Sequence, residues 1–383
     1  MSIIIRRILR KVYRGIKKVL RVMYRIARGL VVRCRNIKYV IKDNKYHNKV
    51  AINCLDVIDK YKDQDYIVLY NPTWLGVANS TKGLFKNIVP LERVVTKKMA
   101  RIISNRIIKN NIKQVVFSQL VDGWTDIIKQ LKKFNKTINI KVIWHANNYE
   151  AQADYTFDLN TKLRNLYAEK KVQALAFVKH SMVEFYKRSG YNAFYLINNT
   201  YIDVKQKKKD LDMNNIKIGV YSADSREIKN IYTQIAAVKL IEGAMVDVVP
   251  TNQGAIDYMK VIDIKNTYLK KYISTKELME RLQSNDINIY ASYTECAPMF
   301  PIESFESGVM CLVGNNNDYF VDTELGKYII IEKEDDYEYI KNKIMICLEN
   351  KDKILNLYKD WKKDFNNQCK QNVKEFLDFK ESV

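Results

Sequence analysis

The chain has 383 residues, of which 47% are hydrophobic, and a formal net charge of +22. That length suits two domains with cores of ordinary size, and that hydrophobic content is normal for a globular protein. Six cysteines (Cys34, Cys54, Cys296, Cys311, Cys347, Cys369) lie without CxxC pairs, and three histidines cannot complete a zinc-site spacing, so the expectation is reduced thiols in an intracellular protein.

The charge is unevenly placed. Residues 1–42 hold fourteen Lys or Arg and no Asp or Glu. Within them Ile5, Ile8, Val12, Ile16, Val19, Met23, Ile26 and Leu30 recur every three or four positions, which predicts a basic amphipathic helix. Such a helix fits an anionic membrane surface through residues 3–30, where each basic side chain adds about 1 kcal/mol. Charges interrupt every apolar run well short of the ~18–20 residues a span requires, and they also break any secretory leader. The same pattern is open to packing on the protein's own body, to nucleic-acid binding or to organelle targeting. Nucleic acid is not expected as a partner, because no recognised nucleic-acid module follows. A connecting helix is predicted over 44–62, closing an N-terminal extension of 1–62.

From there the chain alternates between strand and helix. Asp65 to Asn71 reads as a buried strand running into Pro72, Trp74 and Gly76, with a helix from about Ser80. Strands follow at Val115 to Gln119, Ile138 to Trp144, Ala174 to Val178 and Tyr195 to Ile197. Helices are expected over Trp124 to Phe134, Asn160 to Gln173 and Ser181 to Ser189. A charged stretch, Lys205 to Asp212, marks the boundary between a domain at 63–204 and one at 205–383. The second half restarts with strands at Ile216 to Tyr221, Ala244 to Val249 and Ile287 to Ala291, and helices at Ile231 to Ile241 and Ser274 to Gln283. Asp335 to Phe379 is mostly helical. The fold class is therefore α/β, two Rossmann-like halves facing a cleft.

The stretch from Ala291 to Asn317 carries the chemistry. Glu295 follows an apolar strand. Glu303 comes eight positions later, after Pro298 and Pro301, in the first turn of a predicted helix that Gly308 ends before the strand Met310 to Val313. One carboxylate thus sits at a strand's C-terminal end and the other on the next helix, the edge where ligands bind in an open α/β sheet. The helix N-terminus offers free N–H groups to a phosphate.

This stretch resembles the E-x7-E signature of family-four retaining glycosyltransferases, which have the GT-B fold. The resemblance implies that Glu295 faces a donor sugar and Glu303 binds the ribose of a nucleotide-sugar, with Met299, Phe300 and Pro301 beside the donor. In place of the glycines common after the first Glu, the chain has Cys296, Ala297, Pro298 and Met299. Arg226 and Lys229, after the first strand of the second half, resemble the family's pair that grips the donor diphosphate, with Asn230 where a glycine is usual. His145, ending a strand, resembles a histidine near the reacting sugar and acceptor. Trp74 and Gly76 fall where a glycine-containing loop meets the acceptor. In the GT-B fold the last helix crosses back to the first domain, with Trp361, Phe365, Phe376 and Phe379 available for that contact.

No metal is expected: the spacing Asp210-Leu211-Asp212 lies in the charged linker, and no Walker loop, GxGxxG or Ser-His-Asp set appears. No cofactor is expected, since the nucleotide-sugar is a substrate. The expected activity is retaining transfer to a lipid-linked acceptor of surface-polysaccharide assembly, at the inner face of the cell membrane. An epimerase of the same architecture, and a basic binding protein with a degenerate site, are the alternatives. The membrane expectation has a direct measurement. The full chain should float with anionic vesicles, less so in high salt, and a chain starting at Asp43 should stay in solution. Equal flotation of the shortened chain would assign the helix another role.

Overall fold

The computed structural model describes residues 53–92, 96–202, 204, 211–222, 226–270 and 273–380. The basic stretch 1–42 and Lys205 to Asp210 lie outside the described residues. Of the helix expected over 44–62, residues 53–59 are described and helical.

Residues 57–383 form one compact unit built on two parallel sheets. The first contains β1 (Tyr66–Tyr70), β2 (Ile88–Pro90), β3 (Gln114–Ser118), β4 (Asn139–Trp144), β5 (Ala174–Phe177) and β6 (Ala193–Tyr195), in the order β2-β1-β3-β4-β5-β6. The second contains β7 (Lys217–Tyr221), β8 (Met245–Val249), β9 (Lys265–Tyr268), β10 (Ile287–Tyr290), β11 (Met310–Gly314) and β12 (Ile330–Ile331), in the order β12-β11-β10-β7-β8-β9. Strands covered on both faces favour apolar runs over alternation, as VVF in β3 and CLV in β11 show.

Several elements differ from the sequence expectations. The first helix starts at Leu75, not near Ser80. The helix expected over Asn160 to Gln173 runs Asp154–Ala168. The strand β2, the helices Lys97–Lys109 and Gln253–Val261 and the strand β9 were not foreseen. The residues of β9, KNTY, are partly or fully exposed, so that edge strand carries no apolar run to read.

The terminal helix, Lys351–Asp378, has 28 residues and so extends roughly 40 Å. Its first half packs on the second sheet. Trp361 stacks on Phe365 with centroids 4.3 Å apart and lies 4.5 Å from Phe320. Its end lies on the first sheet, where Phe376 is buried with Val68, Val116 and Ile143, and Phe379 meets Phe194. Of the four aromatic residues expected to make the crossing contact, only Phe376 and Phe379 reach the first sheet. Trp361 and Phe365 come earlier along the helix and stay with the second.

A buried polar chain threads the second sheet. Asp247 accepts from Tyr221 Oη, from Thr267 Oγ1 at 2.6 Å and from Arg281 Nε at 3.2 Å. Asn285 Nδ2 donates to Tyr221 Oη at 2.9 Å and to Asn288 Oδ1 at 2.8 Å. Asn288 Nδ2 then reaches Ser304 Oγ at 2.8 Å. Gly219 of β7 makes room for this chain. A Cβ there would lie 2.1 Å from Asn288 Oδ1, 2.2 Å from the Tyr221 ring and 2.4 Å from Asn285 Nδ2. Gly219→Ala should therefore cost about 3 kcal/mol, the upper end for overpacking, because buried hydrogen bonds are displaced as well. Urea unfolding measures it; a loss below about 1 kcal/mol would mean that the chain yields without breaking.

Candidate active site

Ligands of parallel sheets bind beyond the C-terminal strand ends where the strand order reverses. That reversal lies between β1 and β3 in the first sheet and between β7 and β10 in the second. The loops leaving β7 and β10 carry Arg226, Lys229 and Glu295, and those leaving β1 and β4 carry Trp74 and His145; Gly76 lies not in a loop but in the first turn of the helix Leu75–Leu84.

Lys229 ends the short turn Glu227–Lys229, and its Nζ lies 2.5 Å from Glu295 Oε1. The two side chains are only 5% and 12% exposed, so removing either would strand a buried charge. Lys229 Nζ also donates to Tyr290 Oη at 3.3 Å. Asn230, in place of the glycine of the resembled motif, adopts φ 51°. Asparagine tolerates that left-handed region better than other non-glycine residues. Its Nδ2 bonds Ala291 O at 3.0 Å and Glu334 O, tying the β7 loop to the β10 edge. Arg226 is half exposed and lies 3.7 Å from Glu150 Oε1.

Glu303 sits in the helix Phe300–Glu306. It is buried, and among the described residues no hydrogen bond or ion pair reaches its carboxylate. Burial pushes its pKa up to about 7. Its helix is fixed at both ends. Phe300 is stacked between Tyr221 and Tyr290, with centroids at 5.5 and 5.2 Å. Glu306 accepts from Tyr358 Oη at 2.7 Å and Lys362 Nζ at 2.8 Å. Phe300 and Pro301 are buried and Met299 half-buried, so the Phe300 ring serves packing.

On the first sheet, His145 Nε2 is 2.9 Å from Ser118 Oγ, and its backbone N–H donates to Gln119 Oε1 at 2.8 Å. Burial pulls its pKa down to about 4, so the ring is neutral at pH 7. Trp74 is half-buried at the start of the helix Leu75–Leu84. Gly76 is exposed, and a Cβ there would meet nothing within 4 Å, so the chain's own packing does not demand glycine. Neither residue shares a described hydrogen bond or ion pair with the Glu295 group.

The two sides are joined by contacts that sequence reasoning did not single out. Lys179 Nζ donates to Glu295 O at 3.2 Å and Asn316 O at 2.6 Å. Asn147 Nδ2 reaches Thr294 Oγ1 at 3.0 Å, Asn198 Nδ2 reaches Ala297 O at 2.7 Å, and His180 N reaches Asp318 Oδ2 at 2.5 Å. Residues beyond the ends of β4, β5 and β6 thus hold the Thr294–Ala297 loop. The readable signal was their position just after a strand; their polar side chains are too common in this chain to stand out.

No family model matches the sequence, and no curated protein matches it. Solved structures do resemble it. Anabaena HepE in complex with UDP and glucose is 12% identical, with TM-score 0.54, covering 86% of this chain and 95% of that one. An α,α-trehalose-phosphate synthase (UDP-forming) from Burkholderia vietnamiensis is 8% identical, with TM-score 0.52, covering 82% and 99%. At such identity the likeness is one of fold: the chain has the GT-B fold of two Rossmann-like domains.

The unpartnered Glu303 has a consequence for stability. Its pKa is raised on folding, so its stabilising contribution is full below the ordinary carboxyl value of 4.5 and is lost as pH rises through about 7. Glu303→Gln removes that loss. Without ligand, the variant should match the parent near pH 4.5 and exceed it by about 3 kcal/mol at pH 8. Denaturant melts across that range measure the difference, and a constant offset would show that Glu303 is already compensated.

Proposed function

We propose that the chain is a glycosyltransferase that takes a sugar from a nucleotide-sugar, with uridine diphosphate as the first nucleotide to test. The observation that carries this is Glu303, a buried carboxylate without a partner among the described residues, eight residues beyond a glutamate that already holds Lys229. A buried acceptor with nothing to accept suits a ligand that brings neutral donors, and the vicinal hydroxyls of a ribose do so. Arg226 and Lys229, in the segment after β7, supply the positive charge that a departing diphosphate needs. In this reading Glu295 orients the sugar once the diphosphate takes over Lys229, and the neutral His145 accepts a hydroxyl hydrogen bond. The nucleotide-sugar is a substrate, and the two cations do the work elsewhere assigned to a metal.

The finer features are proposals of the same kind. Retention of configuration follows from the resemblance of the Glu295 and Glu303 pair. The acceptor is a lipid-linked glycan intermediate, met at the inner face of the cell membrane by the basic stretch 3–30. Among the described residues no helix is long and apolar enough to cross a membrane. The fold likeness supports a UDP-sugar donor, because HepE is seen with UDP-glucose and the trehalose-phosphate synthase is UDP-forming.

Calorimetric titration with UDP and a panel of UDP-sugars tests the reading. UDP should bind, and Arg226→Ala should weaken it by about 1.5–3 kcal/mol, the scale of a hydrogen bond to a charged group. Because Arg226 is half exposed, the melting temperature should hardly move. If no nucleoside diphosphate binds the intact chain, the proposal fails. Epimerisation of a UDP-sugar without acceptor would convert it to the epimerase reading.

A further inference from the structure

The hydrogen bonds behind His145 have only one consistent direction. Thr81 Oγ1 is 2.7 Å from Val77 O, and a carbonyl can only accept, so Thr81 donates its single hydroxyl hydrogen there. Thr81 Oγ1 is also 2.7 Å from Ser118 Oγ. With its own hydrogen committed, Thr81 accepts, and Ser118 is the donor. Ser118 then has no hydrogen left for His145 Nε2 at 2.9 Å, so the imidazole donates to it. A neutral ring carries one proton, which this bond places on Nε2. Nδ1 is left with a lone pair, and among the described residues it has no hydrogen-bond partner.

Two further observations mark this as a built arrangement. Ser118 is fully buried and Thr81 almost so, which leaves neither hydroxyl free to turn toward water. The next residue, Gln119, holds the backbone N–H of His145 while sitting at φ 69°. A side chain other than glycine is costly in that left-handed region, by about 1 kcal/mol or more, unless its surroundings over-determine it. Ring and backbone of His145 are thus set by two consecutive residues at the end of β3.

We infer that Ser118 and Thr81 are positioning residues that hold His145 in its Nε2–H tautomer, so that Nδ1 accepts a hydrogen bond from a substrate hydroxyl. The hydroxyl's role rests on the function proposed above; the tautomer does not. The depressed pKa of the ring agrees with it, since an imidazolium would protonate both nitrogens.

Nitrogen-15 NMR of the histidine rings of the full chain tests this. The chain has three histidines, and His145→Gln assigns the signals. At pH 7 His145 should show a protonated Nε2 and an unprotonated Nδ1. Ser118→Ala and Thr81→Val should each give a mixture of tautomers, whereas Thr81→Ser, which keeps the hydroxyl, should preserve the single form. With the UDP-sugar that binds best, UDP release should fall about tenfold or more in Ser118→Ala and Thr81→Val, with KM within about twofold, and recover in Thr81→Ser. A protonated Nδ1 in the parent chain, an unchanged tautomer in both broken variants, or an unchanged release rate beside a changed tautomer would each overturn the inference. If the parent releases no UDP from any sugar, it is the proposed function that fails, and the ring signals still decide the tautomer.

Discussion

The geometry of the cleft depends on one helix gripping both sheets. Lys351–Asp378 binds the second sheet through Glu306, which accepts from Tyr358 and Lys362, and so holds the helix that carries Glu303. At its other end the carbonyls of Phe376 and Leu377 receive the ammonium of Lys141, a fully buried lysine in the middle of the first sheet. Burial pulls that lysine's pKa down to about 8. The free carbonyls of a helix C-terminus compensate a cation well, and the rings of Phe376 and Phe379 lie 5.3 and 5.8 Å away. A buried charge on a central strand is tolerable only with such partners. Between the two ends, Asn366 bonds Thr200 and Cys369 meets Asn198, in the segment joining the sheets. The crossing helix therefore fixes the joining segment as well as the sheets.

What the sequence made legible follows from the packing of each element. Buried parallel strands favour apolar runs, so β1, β3, β5 and β11 could be read directly, and β10 from Ile287, Ile289 and Tyr290 around the buried Asn288. The spacing of Glu295, Pro298, Pro301, Glu303 and Gly308 placed the short helix between β10 and β11. The strand β9 left no such trace because it is exposed at an edge. The division of the aromatics along the last helix is hidden in the sequence for a different reason. Periodicity shows which residues face a core, and two cores lie under one continuous stripe. Only the length of the helix, at 1.5 Å per residue, separates Trp361 on one from Phe376 on the other.

At the site, the charged residues could be named from the sequence but their pairing could not. Lys229 and Glu295 are 66 positions apart and meet only because β7 and β10 are neighbours in the sheet. Ser118 is one of many serines. Its importance comes from standing between Thr81 and His145, residues supplied by three successive units of the first sheet. A glutamate with no partner is equally invisible before folding, since the lack of a hydrogen bond is a property of the packed chain.

The two edges of the cleft differ in kind. On the first, the buried Thr81, Ser118 and Gln119 stand behind an imidazole kept uncharged by burial. Two charged residues beyond its strands, Glu150 and Lys179, turn toward the second edge. That edge holds Arg226, Lys229, Glu295 and Glu303. A diphosphate and its sugar need compensating charge and fixed carboxylates, while an alcohol needs only correctly directed hydrogen bonds. In the proposed function Arg226 and Lys229, which pair with Glu150 and Glu295 here, would pass to the diphosphate when the donor binds.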